Sequence, residues 1–363
     1  MGSKAKEGRR DLVEALESYS LVISAAALIV IAAGALYLRL VPAKIYGLSY
    51  LNGNDPWIEY WLAVYLYHHG LGGLAGLKDV KSRWDPWGRD FLVNEYLGFP
   101  LISAFLSPHL HANITESLGL EPVIFAAFGV VGMYLAVLNL SRSKLGAVAA
   151  ASAYAFYPVI LLDKNFATYP GKQTAGLAVI SWALYLLSVA YYSKSRAKAL
   201  AAAVGSGIVG GSLAWLWGGY QYFTVILAAL ILVEPFLVAP TNDRLLRYVG
   251  AAVGYAAMSA SSPAVGIRYF VHDLGLGLLA LLVIYALEAN IGRLHLDRIR
   301  LTRTFSWRVH LWVVVLIVGL LVAAAASGII SLPSRVLLAL GITPLTCVVP
   351  LTVAEYEALP FSQ

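Results

Sequence analysis

The chain has 363 residues, of which 60% are hydrophobic and only 13% charged, with a mean hydropathy of +0.73. Those proportions exclude an ordinary soluble enzyme and leave a polytopic membrane protein, because apolar runs of about 20 residues cross a bilayer as helices. The net charge of +6 comes from bases dispersed over short loops, which excludes a nucleic-acid footprint, and the single cysteine, Cys347, can form neither an intramolecular disulfide nor a metal cluster.

In chain order, residues 1–19 read as a cytoplasmic segment in which Lys4 to Glu17 forms a charged amphipathic helix. The apolar run that follows is too long for a signal-peptide core and reads as a retained first span. Nine spans are predicted, near residues 20–42, 122–140, 145–162, 174–193, 199–216, 220–239, 247–262, 273–290 and 310–331. Each must be a helix, since a backbone in lipid has to satisfy its own hydrogen bonds. The chain is therefore expected to be all-α, with a transmembrane domain over residues 20–331.

Placing the N-terminus in the cytoplasm puts most of the 26 Lys and Arg residues inside, among them Arg142, Lys144, Arg196, Arg244 and Arg247, while Asp and Glu lean outward. Two outer segments are long. Residues 44–121 carry Trp57, Trp61, Trp84 and Trp87 and read as short interfacial helices packed over the bundle. Residues 332–363 form the last outer loop.

Asn54-Asp55-Pro56-Trp57, Trp217-Gly218-Gly219-Tyr220 and Thr352-Val353-Ala354-Glu355 all fall on the predicted outer side. Polar groups gathered at one face point to a site there. Asp55, directly before Pro56, suits both a helix cap and a ligand for a divalent cation. Glu355 reads either as a solvated loop acid or, beside Leu351 and Val353, as an acid with a raised pKa. The connection from Leu162 to Gln173, with Asp163 and Lys172, reads equally as a Pro170-Gly171 reversal and as the lining of a cavity. His68-His69, His109-x-His111 and His272 are read as solvated or interfacial, because no Asp or Cys stands at zinc-like spacing from them. Asn113-Ile114-Thr115 is a sequon on the outer side, a candidate glycosylation acceptor.

In their order and sidedness these stretches resemble the catalytic subunit of oligosaccharyltransferase in its archaeal form. Asn54-Asp55-Pro56-Trp57 is similar to the family's first acidic motif, and Trp84-Asp85-Pro86-Trp87-Gly88-Arg89 to a patch later in the same loop. Trp217 to Tyr220 matches a membrane fingerprint, and Thr352 to Glu355 the Ser/Thr-Val-x-Glu loop. The resemblance implies a C-type glycosyltransferase membrane fold in the cell membrane with its active face external. It implies transfer of a glycan from a dolichyl or other polyprenyl (pyro)phosphate to the asparagine amide of Asn-x-Ser/Thr. Asp55 and Glu355 would hold and polarise that amide, and Mn²⁺ or Mg²⁺ would stabilise the leaving phosphate. Arg89 would face the lipid phosphates.

The chain departs from the pattern in three places. The position two before Asp55, usually acidic in the family, is Gly53. Where the second acidic motif is expected stand Pro170, Gly171 and Lys172, so Asp163 supplies a displaced metal ligand, or Lys172 replaces part of the metal's charge near the donor phosphates, or the protein is not a conventional transferase. No Trp-Trp-Asp motif follows Glu355, which leads us to expect a truncated or split polypeptide, in the second case with a separate chain supplying the C-terminal domain. The alternatives are another glycosyltransferase using a polyprenyl-phosphate sugar, and an inactive paralogue serving as a non-catalytic membrane subunit. A transporter should show broken helices and midplane charges in paired halves, and neither is seen.

Overall fold

The computed structural model describes residues 2–53, 55–81, 88–157, 166–272 and 274–290, with side chains from residue 19 onward except that of His272. The chain divides into two units, Met1–His295 and Leu296–Gln363, and every described residue belongs to the first. Among the described residues the structure is helical, apart from the isolated bridges Val80 to Arg89 and Phe166 to Tyr169.

Helix α1 (Gly2–Tyr46) runs the expected cytoplasmic helix and the first span together without a break. Residues 44–121 then fold into α2 (Asp55–His69), a 3₁₀ turn (Leu71–Leu77), the one-turn α3 (Phe91–Asn94) and α4 (Gly98–His109). The bundle continues with α5 (Ile114–Ser141), α6 (Lys144–Phe156), α7 (Lys172–Tyr192), α8 (Arg196–Gly211) and the one-turn α9 (Leu213–Leu216). Helices α10 (Tyr220–Leu237), α11 (Asn242–Ala260), α12 (Tyr269–His272) and α13 (Leu274–Asn290) complete it.

Five segments are long and apolar enough to cross a membrane: Tyr19–Tyr46, Ile114–Ser141, Lys172–Tyr192, Arg196–Leu216 and Tyr220–Leu237. Three further expected spans are also helical but do not meet that standard. Helix α6 has 13 residues and α13 has 17, while α11 carries Asp243, Arg244 and Arg247 near its start. The ninth, near residues 310–331, lies outside the described residues.

Side chains start several of these helices. Asn113 and Glu116 form a reciprocal capping box on α5, and Ser143, Ser195 and Thr241 accept backbone N–H groups at the starts of α6, α8 and α11. Helix α7 is different. Its preceding residue, Gly171, gives no side-chain cap, and its first residue is Lys172, a cation where the helix dipole favours an anion.

The helices pack through small residues. On α8, Gly207 and Gly211 sit four apart, as do Gly250 and Gly254 on α11. A Cβ on Gly207 would lie 2.0 Å from the Ala251 carbonyl oxygen, and one on Gly254 would lie 2.3 Å from that of Val204. The two backbones therefore touch, which is the contact that small residues at this spacing permit.

The two ends of the bundle differ in chemistry. At one end Lys144 Nζ donates to Ser20 Oγ at 2.6 Å, Arg142 lies 5.3 Å from the Tyr192 ring, and Arg247 donates to the Tyr191 carbonyl at 2.6 Å. These are bases expected on the cytoplasmic side. The other end brings together the close of α1 and the starts of α2, α5, α7 and α10. There Asn52 N–H donates to the Thr168 carbonyl at 2.7 Å, and Ala167 N–H to that of Arg39 at 3.1 Å.

Candidate functional site

Asp55 opens α2 with Pro56 behind it, so fixed φ and a favourable charge at the helix N-terminus specify the start. Glu59 follows one turn later on the same side of the helix and is buried at 2% exposure, whereas Asp55 is exposed. Opposite them Lys172 projects from the first turn of α7. Its Nζ lies 2.8 Å from Glu59 Oε1 and 2.6 Å from Glu95 Oε2. The other oxygen of Glu95 accepts from Arg89 Nη2. Arg89 is placed by its backbone bridge to Val80, at 2.9 and 3.2 Å, and by the Phe91 ring, 5.2 Å from its guanidinium.

Arg89, Glu95, Lys172 and Glu59 thus form a continuous chain of ion pairs. With Asp55, Ile58 and the stretch Tyr169 to Gln173, the two glutamates and Lys172 line a cavity of about 180 Å³. Counted as ionised, the carboxylates of Asp55, Glu59 and Glu95 and the cations Arg89 and Lys172 sum to one negative charge. Burial pushes the Glu59 carboxyl up to about 7, against the opposing pull of the Lys172 ammonium. Its Oε2 is buried with no hydrogen-bond partner among the described residues. Deeper on α5, Glu121 is fully buried and accepts from Ser103 Oγ.

A raised carboxyl pKa has a defined consequence for stability. Between about pH 4.5 and 7 the folded state holds a proton on Glu59 that the unfolded chain releases, so stability falls as pH rises through that window and levels off above it. The contribution is on the order of 3 kcal/mol across the window. The expected result is that Glu59→Gln flattens this part of the pH profile of thermal unfolding. An unchanged slope in the variant would place the titration elsewhere.

The Trp-Gly-Gly-Tyr stretch forms the wall behind Lys172. Trp217 ends α9, Tyr220 begins α10, and the Trp217 ring lies over Gly176 on α7, where a Cβ would come within 2.4 Å of it. Gly218 packs against the hydroxyl of Tyr96, whose ring lies 5.9 Å from Lys172 Nζ. At the cavity's edge Gly53 has φ +84°, and a Cβ there would meet the Tyr169 ring at 2.7 Å. An acid at this position is therefore excluded twice, by backbone conformation and by space.

Of the residues singled out in the sequence, Asp55, Arg89 and Lys172 come together at this end. Asp163 and Glu355 lie outside the described residues. Asn113 is exposed and caps α5, its Oδ1 accepting from Glu116 N–H at 2.8 Å. His69 and His109 each contact a backbone carbonyl of their own helix, and among the described residues no three His, Cys, Asp or Glu side chains group as a metal site. Glu59 and Glu95 were not singled out. Spacing marks Glu59, four residues after Asp55 on one helical face, but nothing local marks Glu95.

A divalent ion held between Glu59 and Glu95 does not fit this arrangement, because the point on which their oxygens converge is taken by the Lys172 ammonium.

The fold and site together define an all-α polytopic membrane fold with an acidic cavity at one end of its bundle. No protein-family model and no curated protein matches the chain. Its fold is that of the membrane part of archaeal oligosaccharyltransferase. The structure of AglB from Archaeoglobus fulgidus in complex with an inhibitory peptide and a dolichol-phosphate matches with a TM-score of 0.67 at 19% identity, over 93% of this chain and 41% of that one. The apo form of the Archaeoglobus fulgidus oligosaccharyltransferase matches with a TM-score of 0.65 at 20% identity, over 88% and 39% of the two chains. Its complex with Zn and sulfate matches with a TM-score of 0.62 at 21% identity, over 83% and 40%. The chain therefore spans about 40% of the length of the protein it matches, its N-terminal part.

Proposed function

We propose that this chain is the membrane module of a lipid-linked glycan transferase, moving an oligosaccharide from a dolichyl or other polyprenyl (pyro)phosphate to the asparagine of Asn-x-Ser/Thr. The observation that carries the reading is that Asp55 and Lys172 line one cavity at one end of this fold, with Arg89 paired to Glu95 in its wall. In the transfer, the bond from the anomeric carbon to the phosphate oxygen breaks and a bond to the amide nitrogen forms. The nitrogen loses a proton, and the lipid (pyro)phosphate leaves with the electron pair.

An amide is a poor nucleophile, so the protein's contribution is to hold and polarise it. Asp55, exposed at the cavity's edge, would accept a hydrogen bond from the amide N–H, and Glu355 would do so from the last outer loop. Arg89 and Lys172 supply positive charge that faces the leaving phosphate side. Mn²⁺ or Mg²⁺, if the protein takes one, would rest on Asp55 with Asp163. The donor's glycan would be bound where the chain meets the outer face of the cell membrane.

The second reading, a non-catalytic subunit, is favoured by Lys172 itself. It stands where the resemblance calls for an acid that binds metal, and it engages Glu59 and Glu95 instead. The two readings separate in one assay: transfer from native lipid extract to a fluorescent Asn-x-Thr peptide in membranes containing this chain. The expected result is glycopeptide formation that falls by at least about 100-fold in Asp55→Ala. Equal transfer in the variant would refute the role given to Asp55, and no product after adding any polypeptide encoded directly downstream would select the non-catalytic subunit.

A further inference from the structure

We infer that Lys172 is the resident cation of the acidic cavity, standing between Glu59 and Glu95 in place of a divalent metal ion. The inference uses only the geometry of the cavity, so it holds for either of the two functional readings.

Position is the first argument. Nζ lies 2.8 Å from one oxygen of Glu59 and 2.6 Å from one of Glu95, so two carboxylates from different elements converge on one point and an ammonium occupies it. Mg²⁺ would need oxygens at about 2.0–2.1 Å and Ca²⁺ at about 2.3–2.6 Å. Neither can be added beside the ammonium without bringing two cations into contact.

The second argument is the placement of the charge. A lysine in the first turn of a helix opposes the helix dipole, and α7 has no capping side chain to offset it. The two carboxylates supply that compensation. Their need for a cation runs the other way: without Lys172, Glu59 would lose this ion pair and Glu95 would be left with that of Arg89.

Third, the cation is not exchangeable. Lys172 is tethered to α7, its side chain is 19% exposed, and the Tyr96 ring packs 5.9 Å from its Nζ. The charge between Glu59 and Glu95 is then set by the chain itself and does not follow the supply of metal in solution.

The test is uptake of Mn²⁺ alone, read as loss of the free-ion electron paramagnetic resonance signal, on the whole chain purified in detergent. Cavity-dependent uptake is the difference between a chain and the same chain carrying Glu95→Gln. With Lys172 present that difference is expected to be zero at roughly millimolar Mn²⁺. In a Lys172→Met background it is expected to rise to one ion per chain. A difference of one ion with Lys172 in place overturns the inference, as does a difference of zero in a folded Lys172→Met chain. Should Lys172→Met fail to fold, the comparison with Lys172 in place still decides.

Discussion

Replacing Lys172 by methionine is expected to cost about 3–5 kcal/mol of stability, the usual penalty for removing one partner of a buried ion pair. Three charged side chains are involved, with exposures of 3% for Glu59, 12% for Glu95 and 19% for Lys172, so solvent screens none of them strongly. Methionine has nearly the volume and shape of the lysine stem. The loss would therefore come from charge and not from a cavity.

Two comparisons separate this account from simple misfit. The cost should be largest above pH 7, where Glu59 is ionised, and should shrink as pH falls and Glu59 takes up its proton. Adding Glu59→Leu to Lys172→Met should recover part of the loss, because it removes one of the stranded carboxylates. Thermal unfolding in detergent at pH 6 and pH 8 gives all of these values. Lys172→Met melting with the unsubstituted chain at pH 8 would show that the ion pairs carry no net stability.

The sequence made some of this cavity legible and hid the rest for physical reasons. Asp-Pro specifies a helix start from local backbone and dipole effects, and α2 does begin at Asp55. Long apolar runs specify helices without reference to neighbours, so the spans near residues 20–42, 122–140 and 174–193 are matched by α1, α5 and α7. Lys172 stood out only as a departure from a pattern. Its meaning depends on Glu95, 77 residues away, and on Glu59 in a third element, and no local rule links positions so far apart. Gly53 was noticed as a missing acid. Only the positive φ and the Tyr169 ring show why an acid does not fit there. The small-residue spacing on α8 and α11 was legible and went unused, since hydropathy alone does not distinguish a glycine facing lipid from one facing a helix.

That spacing supports the other large expected effect. Gly207→Ala puts a methyl 2.0 Å from the Ala251 carbonyl oxygen and 2.7 Å from the Tyr255 nitrogen, both backbone atoms that no rotamer change can move. Helices α8 and α11 must separate, at a cost of about 1–3 kcal/mol for an overpacked core and more where the obstacle is backbone. Gly254→Ala meets the Val204 carbonyl oxygen at 2.3 Å and should cost a similar amount. Because either methyl already forces the helices apart, the double variant should cost clearly less than the two singles combined. Gly205→Ala is the control. Its nearest neighbour would be Leu186 Cδ1 at 3.7 Å, so the gain in helix propensity should leave it neutral or slightly stabilised.

The separation should also reach the cavity. Helix α8 leads through α9 directly into Trp217, whose ring fills the gap over Gly176, one turn beyond Lys172 on α7. A displaced α8 pulls that ring away from α7 and loosens the first turn that carries the ammonium. Gly207→Ala should therefore lower thermal stability and, in the transfer assay, reduce glycopeptide yield in the fraction that remains folded. Full yield from a folded but destabilised variant would mean that the wall at Trp217 does not position the cavity.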